Sequence, residues 1–166
     1  MNIFSNSSFS KPNTIFVSIA SYRDEVCNST LKSLFEMADD PKRVFAGICQ
    51  QNKEDEDSEC NESFENSPNV RILRIPYYEA KGPTYARYLC STLWNGEEYF
   101  LQIDSHSKFV KGWDTVCIKM VKDIKSQGLS QKPVLSHDPK EIESYGNDEE
   151  NEKNKFKVPR ICKSFF

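Results

Sequence analysis

A short apolar run, Tyr99-Phe100-Leu101-Gln102-Ile103, ends abruptly on Asp104-Ser105-His106. A run of this length, bounded by polar residues, reads as a strand buried on both faces. Such strands belong to parallel sheets covered by helices. In those sheets ligands bind outside the carboxyl ends of the strands. Side chains i and i+2 share a side of an extended segment, so Asp104 and His106 can converge on one divalent ion. Carboxylate with imidazole suits Mn²⁺ better than Ca²⁺, because imidazole is a borderline ligand. Such an ion can bind the two phosphates of a nucleoside diphosphate and stabilise its charge as it leaves. A plainer reading fits the same spacing: Asp104 caps a turn and His106 is a surface histidine.

The rest of the chain supplies the sheet. Residues 1–13 are rich in Ser and Asn and read as a disordered N-terminus. Residues 14–20 form a second apolar run, followed by Tyr22, Arg23 and Asp24. A helix is expected over 25–38, with Leu31, Leu34, Phe35 and Ala38 on one face and Asp24 as its N-cap. Asp39-Asp40-Pro41 stops it. Strands are expected at 43–49, 69–75 and 132–136. The acidic segment 52–65 reads as a solvated loop, since it lacks the spaced ligands of a calcium loop. Pro83 suits the first turn of a helix reaching Trp94. Tyr85, Ala86, Leu89, Cys90, Leu93 and Trp94 share one side of that helix, and Arg87 faces elsewhere. A last helix carries Trp113, Val116, Cys117, Met120, Val121 and Ile124 on its apolar face. A mobile loop over 147–155 and a further apolar stretch over 158–166 complete the chain. The alternation predicts an α/β fold, a mainly parallel sheet between helical layers.

Composition removes several classes. The 166 residues suffice for one domain with a core, and the net charge of −3 gives no support for nucleic-acid binding. No run approaches membrane-spanning length and no leader pattern opens the chain, so the expected location is cytoplasmic. None of the six cysteines has CxxC spacing, and buried free thiols are the expected state. The sequons at Asn28 and Asn61 carry no meaning in the cytosol. The dinucleotide, P-loop and nucleophile-elbow signatures are absent.

Three segments together change the weighting. IFVSIASYRD (15–24), EAKGPTYAR (79–87) and YFLQIDSHSKFVKGWD (99–114) resemble the cytosolic N-acetylglucosaminyltransferases that modify hydroxyproline on a ubiquitin-ligase adaptor subunit. The third is also similar to the Asp-x-His motif of polypeptide GalNAc-transferases. The resemblance runs from about Thr14 to His137. It implies a GT-A fold, a three-layer α/β sandwich, using UDP-GlcNAc with Mn²⁺ or Mg²⁺ and retaining stereochemistry. It implies that Asp104 and His106 hold the metal. It places Ser18, Ala20, Tyr22 and Arg23 at the uracil and ribose, and Lys81, Gly82 and Arg87 near the nucleotide. Members of the family continue past this length with an acceptor half that adds a metal ligand. A truncated donor domain over 14–166 is therefore expected: a glycosyltransferase or its donor half, or else a nucleotide-sugar-binding module or fragment without turnover.

Overall fold

The computed structural model describes residues 11–137. Expectations for residues 1–10, 147–155 and 158–166 and for Cys162 lie outside them. By compactness the chain divides into Met1–Ile118, which holds the whole sheet, and Lys119–Phe166.

The elements follow in the order β1 (Lys11–Tyr22), α1 (Cys27–Glu36), β2 (Val44–Asn52), β3 (Val70–Pro76), α2 (Pro83–Ser91), β4 (Glu97–Asp104) and α3 (Trp113–Ser126). All pairings are parallel, in the order β3-β2-β1-β4. One face of the sheet packs Ile15, Val17, Ile19, Ala46 and Ile48 against Leu31, Leu34 and Phe35 of α1 and Trp113 and Ile118 of α3. The other packs Cys49 against Ala86 and Cys90 of α2. Helices on both faces make the expected three-layer α/β sandwich.

Several boundaries and faces differ from the sequence reading, each for a physical reason. β1 begins at Lys11, not Thr14. Lys11 pairs in register with Glu97, whose fully buried carboxylate it helps neutralise at 3.4 Å. The register shifts between Lys11 and Ile15, where Pro12 has no amide to give. β4 is not buried on both faces. It lies at the sheet edge, and α2 packs chiefly over β1 and β2. Tyr99, Leu101 and Ile103 therefore join the core, while Phe100 stays half exposed beside Phe16.

Residues 132–136 form no strand. Pro133 lacks an amide donor, and Val134 is almost fully exposed. On α3, Val116 and Met120 face solvent, and the inward face is set by Trp113, Asp114 and Ile118. The Asp114 carboxylate accepts the amides of Asp39 and Asp40 and the Arg43 guanidinium. A buried carboxylate satisfied this way closes the turn after α1.

The acidic segment is largely exposed, as expected of a solvated loop, but it is also tied down at particular residues. Asp57 takes Arg23, while Glu59 takes Gln50 and Arg74. Cys60 and Asn61 are buried. Cys27 is not a free thiol: it forms a disulfide with Cys60, their Cα atoms 4.9 Å apart. A 33-residue separation carries no motif, so only the fold brings the pair together. Among the described residues Cys49, Cys90 and Cys117 are free, as expected.

Candidate functional site

In a sheet ordered β3-β2-β1-β4 the chain leaves β1 to one side for β2 and later returns to its other side for β4. The strand order reverses there, and a crevice opens at the carboxyl ends. Ala20 of β1 is the register partner of Asp104 of β4, and Tyr22 is that of Gln51 of β2. The three strand ends thus share one edge.

An open cleft of about 410 Å³ lies at this edge, lined by Ala20, Tyr22, Gln51, Tyr77, Ala80, Gly82 and Pro83. Its floor comes from the strand ends and its wall from the start of α2. Gly82 precedes that helix with φ 86° and ψ 172°, a conformation open essentially to glycine alone. Pro83 follows at the first helical position, where no amide is needed. Backbone amides at a helix start attract anions, and here they border the cleft.

Gln51 is one residue that sequence reasoning missed. It is 3% exposed, and its Nε2 donates to the Ser21 carbonyl at 3.0 Å. Its Oε1 is buried without a partner. Leaving a buried acceptor unsatisfied costs on the order of 1–3 kcal/mol, so a donor that reached this atom would be favoured. The only sequence signal was a polar pair, Gln50-Gln51, closing an apolar strand. Tyr77 was also missed, being read only as part of a connection.

The expected site residues separate into groups. Ala20, Tyr22 and Gly82 line the cleft. Ser18 is fully buried within the sheet. Arg23 has φ 49° and makes two hydrogen bonds to Asp57, at 2.8 and 3.1 Å, with its guanidinium 5.3 Å from the Tyr77 ring. Those bonds hold the Asp57 carboxyl below its usual range. Lys81 lies over the Tyr85 ring at 5.2 Å. Tyr85 therefore belongs to the rim, not the core face of α2. Arg87 donates to Asp104 at 2.9 Å.

Asp104 and His106 take different partners. The strand ends at Asp104 and Ser105-His106 turn away, so strict alternation does not govern the pair. His106 Nδ1 lies 3.1 Å from Asp24 Oδ2, which also accepts the Ser105 hydroxyl at 2.5 Å. Asp24 Oδ1 accepts the Val26 amide at 2.9 Å. Burial works against the Asp24 charge, but the bonds from Ser105, His106 and Val26 outweigh it and lower the carboxyl's pKa. The Asp104 and His106 side chains are more than half exposed. Their donor set, one carboxylate oxygen and one imidazole nitrogen, fits a borderline divalent cation. Among the described residues no group of three or more acidic, His or Cys side chains is placed to hold a metal. A cation on Asp104 and His106 would complete its shell from water and phosphate oxygens.

Comparison with known families matches residues 14–68 and 61–166 to the glycosyltransferase (GlcNAc) family. The chain belongs to that family. Both matched segments reach the site: the first carries Tyr22, Arg23, Asp24 and Gln51, the second Gly82, Arg87, Asp104 and His106. A search among curated proteins returned no match. A glycosyltransferase takes a nucleotide sugar and an acceptor.

Proposed function

We propose that this chain binds UDP-GlcNAc at the edge shared by β1, β2 and β4 and transfers GlcNAc to a protein hydroxyl. One observation carries this reading beyond the family: a cleft at the switch point of the sheet lined by Gln51, whose Oε1 is buried without a partner. The uracil imide is a donor of the kind that atom lacks. Tyr22 and Tyr77 flank the same space and offer aromatic faces to a base. The start of α2, Lys81 and Arg87 gather positive charge for a diphosphate.

Asp104 and His106 would hold the divalent ion, Mn²⁺ or Mg²⁺. When bound, the ion neutralises charge on the departing diphosphate. Arg87 also donates to Asp104. Where Asp104 holds the ion, Arg87 would be free to donate to phosphate. The acceptor, on the family resemblance, is hydroxyproline of a ubiquitin-ligase adaptor subunit.

The test is release of UDP from UDP-GlcNAc in Mn²⁺, with and without a hydroxyproline-containing acceptor protein. Acceptor-dependent release with sugar on the acceptor supports transfer. UDP-GlcNAc binding without release assigns a nucleotide-sugar-binding module. Neither binding nor release contradicts the proposal.

A further inference from the structure

Asp24 is the residue on the site whose chemistry is least explained by folding alone. As a turn-closing group it needs one oxygen, and Oδ1 serves that purpose by accepting the Val26 amide. Its second oxygen reaches across to the turn after β4, 82 residues on, and meets both Ser105 and His106. Thr30 of α1 anchors the same turn independently: its hydroxyl donates to the Ser105 carbonyl at 2.7 Å and accepts the Ser107 amide at 2.9 Å. The turn is thus held without Asp24, and the contact to the imidazole is surplus to it.

A carboxylate accepts hydrogen bonds and donates none. The imidazole nitrogen facing it must therefore carry the proton. That nitrogen is Nδ1, so neutral His106 keeps its proton there and leaves the lone pair on Nε2. Metal-ligating histidines are commonly fixed by such a partner, which sets the tautomer and raises the basicity of the ligating nitrogen.

We propose that Asp24 is a positioning residue for His106, holding it as the Nδ1–H tautomer so that Nε2 is the nitrogen offered to a divalent cation. This rests on the assignment of His106 as a metal ligand in the preceding section. Asp24 itself touches neither cation nor sugar nucleotide.

The chain has two histidines, His106 and His137, so long-range ¹H–¹⁵N spectra of the whole metal-free chain at pH 8 resolve the question, with His137→Gln assigning the signals. The wild-type His106 is expected as the Nδ1–H tautomer. Asp24→Ala is expected to release it to the Nε2–H form usual in solution. Asp24→Asn keeps an acceptor oxygen and is expected to retain the tautomer in part, which guards against a fold defect in the alanine variant. Ser105→Ala removes the other bond to the same oxygen and should leave the tautomer unchanged. Mn²⁺ binding in the presence of UDP, followed by electron paramagnetic resonance, should weaken roughly 10–100-fold in Asp24→Ala, with Asp24→Asn between it and wild type. An Nε2–H wild-type histidine overturns the proposal, as does Mn²⁺ affinity in folded Asp24→Ala equal to wild type. Failure of the wild-type chain to bind Mn²⁺ with UDP overturns the donor-site assignment instead, whatever the tautomer.

Discussion

Asp104 is held by a single guanidinium, and that arrangement makes its role separable from folding. The side chain is half exposed and paired with Arg87 of α2, so Asp104→Ala is expected to change stability by no more than about 0.5 kcal/mol. Mn²⁺-dependent UDP binding should be lost in the same variant. Unchanged binding by calorimetry would remove Asp104 from the site. Glu97 behaves in the opposite way. Its carboxylate is fully buried and takes Arg71 at 2.7 Å, Lys11 at 3.4 Å and the Asn95 amide at 2.8 Å. Burial opposes its charge, but these partners prevail and hold the carboxyl at about 2. A depressed pKa stabilises the fold above the unfolded value and stops doing so as pH falls through the folded one. The contribution, about 3 kcal/mol, should therefore be complete near neutrality and fade between about pH 5 and 2. Glu97→Gln should destabilise the protein at pH 7 and flatten this acid limb in denaturant titrations. An acid limb as steep as wild type would contradict the assignment. Glu97 and Asp104 look alike in sequence; only their burial tells a structural carboxylate from a candidate ligand.

At the scale of elements, two glycines tie the site to the sheet. Gly82 holds the backbone conformation that starts α2 beside the cleft. Gly82→Ala is expected to cost about 1–3 kcal/mol and to weaken UDP binding, because the strain falls on cleft-lining backbone. Thermal unfolding and calorimetry on one variant check both; a variant as stable as wild type would mean the glycine is not required. Gly47 of β2 lets the Phe16 ring lie flat on the sheet, where an added Cβ would meet ring carbon at 2.3 Å. Most elements were legible because apolar runs and helical spacing are local signals: four of the five expected strands and all three helices are present. What misled was context. The apolar run in β4 looked doubly buried, yet sheet order put it at an edge with Phe100 exposed. Val134 and Leu135 offered two apolar residues beside a proline, too little for a strand. The face of α3 followed the burial of Asp114, a charged residue that hydropathy patterns assign to solvent.

Across the molecule, the site was partly legible because it lies on strand ends and helix starts, which sequence can place. Ala20, Tyr22 and Gly82 fall together on one cleft for that reason. Gln51, Tyr77 and the Asp24–His106 contact were not legible, since each depends on which strand neighbours which. The disulfide was hidden on the same ground. It closes a 33-residue separation, and chain entropy assigns such a cross-link about 3–4 kcal/mol. Reduction should lower the unfolding midpoint accordingly, and Cys27→Ala/Cys60→Ala should match the reduced protein; equal midpoints before and after reduction would contradict this. No helix among the described residues is long and apolar enough to cross a membrane.

The edge shared by β1, β2 and β4 is proposed as a cation-dependent site for a uridine diphosphate. Calorimetric titration of the chain with UDP, in Mn²⁺ and again in EDTA, tests it most directly. Saturable one-site binding in Mn²⁺, weakened at least tenfold in EDTA and in Gln51→Ala, is the expected result. UDP binding that is absent in Mn²⁺, or that is indifferent to both the cation and Gln51, would contradict it.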